Sequence, residues 1–176
     1  VDAVNPIKLA EQGKKEYEQE NYLAAANLFS HAAQAYTVAK DTLNAAEMKN
    51  NQSVALLQAG KAKEALQATD GTEEIFQKAG DIKRQGMAIS NRAAALEGMK
   101  QWKEALVEYD RAAALFEQIG EGDMHSLVRK SAANLNLKRG RIVDSQMDVY
   151  DSLRLVEKPS LSQRLMKFLM RIGLVK

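Results

Sequence analysis

Four segments of this chain align with one another at a constant offset of forty residues. Gln101-Trp102-Lys103-Glu104-Ala105-Leu106-Val107-Glu108-Tyr109 has counterparts at Lys61–Thr69, Asn21–Phe29 and Arg141–Val149, and no gap is needed. A fixed period of this length denotes an array of stacked supersecondary units, each unable to bury its apolar face alone. Composition says what the units are made of. Hydrophobic residues are 45% of the chain but aromatic ones only 6%, and Ala supplies much of the difference. Small residues let helix axes approach, so this balance favours packed helices over a sheet sandwich. The only prolines, Pro6 and Pro159, lie near the ends, leaving the span between them free of the strongest helix breaker.

The helical period can be followed along the chain. Pro6 suits the first turn of a helix running from Ile7 to about Gln19, and Glu20-Asn21 turns the chain into a partner helix, Tyr22 to about Lys40. Asp41 is placed to cap Thr42–Ala59, which Gly60 ends; a helix from about Ala62 to Ala79 follows. Asp70-Gly71-Thr72 is a weak point inside that helix, where it should bend or unwind. The third unit pairs Ile82–Met99 with Trp102–Ile119, and Gly120-Glu121-Gly122-Asp123 reads as the longest loop between units. The fourth pairs about Met124–Arg139, apolar at Leu127, Val128, Leu135 and Leu137, with about Ile142–Val156. Ser160 can cap a last helix from Leu161 to Ile172, with Leu161, Leu165, Phe168, Leu169 and Ile172 on one side and Arg164, Lys167 and Arg171 basic. The expected organisation is a frayed lead-in over 1–5, repeats over 6–40, 41–80, 81–122 and 123–157, and an amphipathic helix in 158–176. That helix is expected to shield the open end of the stack. The sharper alternative is a helix for a membrane surface or a partner.

Several chemistries find no support. There is no Cys, hence no disulfide or thiolate site, which fits a cytoplasmic setting. No apolar run is long enough to cross a membrane. His31 and His125 lack partners at metal-ligand spacing; His31 is expected at a surface or half-buried position, His125 solvated at a helix start. Glu73-Glu74 are neighbours on a helix and point in different directions. No nucleophile elbow, P-loop or dinucleotide fingerprint occurs, so no enzyme, metal or cofactor is expected. Residues 1–122 carry a net −4 and residues 123–176 a net +6, an asymmetry too mild to imply nucleic acid. The chain starts with Val, which suggests a piece cut from a larger protein.

The repeat columns resemble the tetratricopeptide pattern over about residues 6–157. The small residue of the first helix stands as Gly13, Ser53, Ala93 and Ala133; the bulky residue opening the second helix as Tyr22, Ala62, Trp102 and Ile142. The Ala that follows is Ala25, Ala65 and Ala105, replaced by Ser145; the next small position is Ala32, Thr72, Ala112 and Ser152. The following ring is Phe29 or Tyr109, lost at Thr69 and Val149. The family unit is 34 residues; forty resembles the longer units of its kinesin light chain, attachment-protein and bacterial peptide-sensor branches. The family Pro that closes each repeat is absent.

The resemblance implies an all-α, right-handed α-α superhelix of four antiparallel helix hairpins plus a C-terminal capping helix. It also implies a protein-interaction scaffold whose first helices line a concave groove. On those helices the inner positions are Lys14 and Tyr17; Asn50, Asn51 and Val54; Met87, Asn91 and Ala94; Lys130, Asn134 and Lys138. Asn is a poor helix former, and its amide can both accept from and donate to an extended peptide backbone, so these positions are the expected peptide site. The family's clamp for chaperone C-termini does not fit: Ala10, Met87 and Asn91 occupy three of its five columns and Lys14 stands where Asn is needed. The expected partner is a protein or peptide, a second copy of the chain included. The alternatives are a homo-oligomerisation module or the regulatory domain of a larger protein. No nucleic acid is expected, and no membrane contact except through the C-terminal helix.

Overall fold

The computed structural model describes residues 5–171, and every regular element among them is a helix. α1 (Pro6–Glu18) pairs with α2 (Tyr22–Val38). α3 (Thr42–Gln58) pairs with a helix that is broken in two, α4 (Ala62–Ala68) and α5 (Thr72–Lys78). α6 (Ile82–Gly98) pairs with α7 (Trp102–Gln118), α8 (Gly122–Lys138) with α9 (Ile142–Arg154), and α10 (Leu161–Arg171) follows. Each hairpin packs on the next, giving an all-α superhelical stack.

A corner recurs every twenty residues. Positions 20, 40, 60, 80, 100, 120 and 140 all adopt a left-handed conformation, with φ between 61° and 74°. At each corner the chain closes with a hydrogen bond from the next residue's N–H to a carbonyl five residues back. Asp41 donates to Tyr36 at 2.9 Å, Asp81 to Phe76 at 3.0 Å and Glu121 to Phe116 at 2.9 Å. Asp41 and Asp81 then cap the following helices, accepting from the N–H of Asn44 at 3.1 Å and of Arg84 at 2.9 Å. Asn5, expected in the frayed lead-in, instead caps α1 by accepting from Ile7 and Lys8. Residues 1–4 and the expected end of the last helix at Ile172 lie outside the described residues.

The small columns sit at the helix crossings. Ser53, Ala65, Ala93 and Ala105 are buried, and the Ser53 hydroxyl donates to the Ala65 carbonyl at 2.8 Å, tying α3 to α4. A Cβ at Gly13 would lie 2.8 Å from the Phe29 ring, so the first crossing closes only around glycine. Phe29, Phe76, Tyr109 and Phe116 fill the spaces between units, and three apolar clusters join them along the stack.

The weak point in the second unit is a complete break. Gly71 takes φ 75°, and the Thr72 hydroxyl, fully buried, donates to the Thr69 carbonyl at 2.8 Å across the gap. The loop expected at Gly120–Asp123 is no longer than the others, because α8 already begins at Gly122. Gly122 is buried there, against the Leu155 carbonyl, where any Cβ would collide. α10 is capped by Ser160 in a reciprocal arrangement with Gln163. It packs on α9, and Leu161, Leu165 and Phe168 stay 84%, 57% and 54% exposed, so the shielding expected of it is partial.

Candidate interaction face

The first helices α1, α3, α6 and α8 lie side by side. Ion pairs bridge neighbours across this face: Arg84 to Glu47 at 3.2 Å, Lys83 to Glu121 at 2.7 Å, and Lys138 to Glu97 at 2.9 Å. Each joins residues close to one period apart, so the ladder follows the repeat.

The expected site residues divide into three groups. Lys14, Tyr17, Asn51 and Val54 are brought together, with Glu18 and Phe29, around a cavity of about 200 Å³ between α1 and α3. Asn51 and Asn91 stand one period apart on α3 and α6, and both are half-buried, as is Ala94; Met87 is 37% exposed beside them. Lys130, Asn134 and Lys138 are exposed on α8, where Lys138 is engaged by Glu97. Asn50 differs from its neighbour: it is only 7% exposed, and its Oδ1 has no hydrogen-bond partner.

Among the described residues the amides of Asn51 and Asn91 make no side-chain hydrogen bond. Side-chain hydrogen bonds from α3 and α6 are made by Asn44, Glu47, Ser53, Arg84, Gln85, Ser90 and Glu97. Glu97 also accepts from the Tyr109 hydroxyl at 3.0 Å, and burial with the adjacent carboxylate pushes that phenol well above its usual range. Tyr109 is therefore a neutral donor that holds Glu97 toward Lys138.

Leu127 and Leu137, counted with Val128 and Leu135 as the apolar residues of α8, are 61% and 57% exposed. Leu127 shares its column with Glu47 and Met87, both on this face, and comparison along that column would have revealed it.

Behind α8 lies a charged cluster that the sequence reading missed. His125, expected in solvent, is fully buried between α8 and α9, with Nε2 3.4 Å from Asp151. Arg129 reaches Asp151 at 2.6 Å, Asp148 at 3.6 Å and Asp110 of α7 at 2.5 Å; Asn136 donates to Asp148 at 2.9 Å. Burial holds the His125 imidazole below its ordinary pKa, and Arg129 adds to this while Asp151 pulls the other way. Burial raises Asp148. Asp151 also feels burial, but Arg154 and Arg129 outweigh it and hold that carboxyl below the usual range. His31 is exposed. Among the described residues no group of three or more His, Cys, Asp or Glu is arranged to hold a metal, and no helix is long and apolar enough to cross a membrane.

The family model described as soluble NSF attachment protein, SNAP, matches residues 9–175, nearly the whole chain. The chain belongs to that family. Its members are helical protein-interaction scaffolds with a repeat fold of the tetratricopeptide kind, in accord with the stack of hairpins. A comparison with curated proteins found no match.

Proposed function

We propose that this chain is a non-catalytic scaffold that holds an extended peptide or a partner helix against the face of its first helices. We further propose that its hairpins are the forty-residue variant of the tetratricopeptide unit and that it works in the cytoplasm. The SNAP family supports the general reading, since its members are non-enzymatic adaptors that bind protein partners, SNARE complexes among them.

The observation that carries the finer reading is the pair Asn51 and Asn91. They stand in register on neighbouring helices, half-shielded from water, with amides that make no hydrogen bond among the described residues. Such an amide offers one acceptor and two donors, enough to satisfy both polar groups of a peptide unit. Met87 and Val54 provide apolar contact beside them, and Lys14, Lys130 and Lys138 add positive charge along the same face.

The test is a pull-down from native lysate with mass spectrometry, followed by affinity measurement on the captured partner. Each net hydrogen bond contributes about 1 kcal/mol, so Asn51→Ala with Asn91→Ala should weaken binding by more than about tenfold. Unchanged affinity in that double variant would remove the amide reading.

A further inference from the structure

The cavity between α1 and α3 has an apolar floor and a polar mouth. The floor is the buried ring of Phe29, the half-buried walls are Tyr17, Asn51 and Val54, and Lys14 and Glu18 stand exposed at the mouth. Gly13 sets the level of the floor. A Cβ there would come within 2.8 Å of the Phe29 ring, so the ring lies against the bare backbone of α1. Tyr17 is steadied edge-on by Tyr22, with ring centroids 5.3 Å apart and planes at 64°.

Two repeats further along, the same columns are filled from within. Tyr109 stands for Phe29 and Glu97 for Tyr17, and Ala93 carries the Cβ that Gly13 lacks. The Tyr109 hydroxyl donates to Glu97 at 3.0 Å, and Lys138 closes over that carboxylate at 2.9 Å. Phe29 has no hydroxyl to send outward, and the space above it stays open. The polar groups around that space are idle. On α1 Glu16 accepts from Asn21 at 2.8 Å, whereas the side chains of Lys14, Glu18 and Asn51 make no hydrogen bond among the described residues.

Size and polarity identify the occupant. The cavity holds about 200 Å³, and an apolar void of about 150 Å³ is enough for benzene. Sites for drug-sized ligands begin near about 300 Å³, so this one suits a single ring. A phenol would press its hydroxyl on the Phe29 floor, where the lining offers no partner. Lys14 and Glu18 bring opposite charges to the mouth, which favours neither an acidic nor a basic anchor. We infer, on the peptide reading of the first-helix face, that this cavity receives a phenylalanine side chain from an extended partner peptide. A ring seated here fixes the register of the peptide. The amides of Asn51 and Asn91 read backbone alone and would accept any frame.

The probe is N-acetyl-phenylalanine methylamide, titrated against the full chain and followed by the NMR shifts of the Val54 methyls and the Asn51 side-chain amide. Saturable shifts in both are expected. N-acetyl-tyrosine methylamide should bind about tenfold more weakly, and N-acetyl-alanine methylamide should leave both signals in place. Val54→Phe, which puts a ring of the chain's own into the cavity, should abolish binding of the probe, and Tyr17→Ala, which removes a wall, should weaken it by about tenfold. Circular dichroism melts confirm that each variant is folded, and the wild-type titration stands without either of them. Three results would overturn the inference: shifts that do not saturate, equal affinity for the phenylalanine and alanine probes, or a folded Val54→Phe protein that binds like the wild type. A captured partner separates this inference from the reading beneath it. Affinity lost in the double variant Asn51→Ala with Asn91→Ala but kept in Val54→Phe would leave the peptide face standing and remove its anchor. Probe binding in the cavity, with partner affinity unchanged in the double variant, would uphold the ring site and remove the amide reading.

Discussion

The third and fourth hairpins have the same backbone plan and different interiors. Where α6 buries Ile89 and Leu96, α8 carries Arg129 and Asn136 in the same columns. Where α7 has the ring of Tyr109 and the ring of Phe116, α9 has Val149 and the chain beyond it has Val156. The third unit is thus held by apolar volume: Phe116 is 1% exposed, and its ring lies 2.9 Å from where a Cβ on Gly86 would be. The fourth keeps Val128, Ala132 and Leu135 in the apolar cluster but adds Arg129, three aspartates, Asn136 and a buried imidazole. Geometry is preserved because the small crossing residues Ala93 and Ala133, and Ala105 and Ser145, are kept. What changes is the kind of free energy. Apolar burial is nearly independent of pH, whereas a paired, desolvated cluster depends on the protonation of every member.

The largest effect should come from the apolar unit. Phe116→Ala is expected to cost about 3–5 kcal/mol, because it empties a site bounded by two packed units. Urea unfolding would measure it; a loss below about 1 kcal/mol would mean that the third unit does not depend on this ring.

The next effect belongs to the fourth unit. The folded-state pKa of His125 lies below its unfolded value, so the unfolded chain takes up the proton first as pH falls. Stability should therefore decline from near pH 7 downward until the folded form can also protonate, with a slope of at most about 1.4 kcal/mol per pH unit for one proton. Asp151 contributes in the same sense but only at more acidic pH, since its folded pKa is depressed and its unfolded one is that of an ordinary carboxyl. His125→Gln, which installs the residue of the third unit's column, should flatten the curve between pH 7.5 and 5. Thermal melts across that range decide it, and an unchanged slope would exclude His125 as its source.

The smallest effect concerns the corners. The third hairpin turns through Lys100 at φ 61°, the fourth through Gly140 at φ 72°. A side chain in this region costs about 1 kcal/mol relative to glycine. Lys100→Gly should raise stability by about that amount and Gly140→Ala should lower it similarly. If neither moves the melting temperature, the corners are not under strain.

Much of this architecture was legible because one signal repeats. α6 and α7 begin where the sequence places them and end within one residue of it, and the Gly71 break falls at the weak point expected from Asp70-Gly71-Thr72. Lys14, Tyr17, Asn51 and Val54 could be grouped from register alone. His125 could not be placed by its position at a helix start, since its burial comes from α9, the helix that folds back over it. Reading its column would have helped, as Ala45 and Gln85 are both buried. The exposure of Leu127 and Leu137 was hidden because an apolar residue at helical spacing looks the same whether it faces the core or a partner. The seat of α10 on α9 was equally illegible, since periodicity describes a helix and not the company it keeps.

The twenty-residue beat of the corners has a consequence for how such a chain can change length. One residue added inside a helix would rotate everything beyond it by about 100° around the axis, swinging Ala93 or Ala105 out of its crossing. A whole pair of helices added between two corners would leave every other crossing untouched. Growth or shrinkage of this molecule is therefore tolerated in blocks of forty, and a relative with a longer or shorter stack should differ from it by whole hairpins.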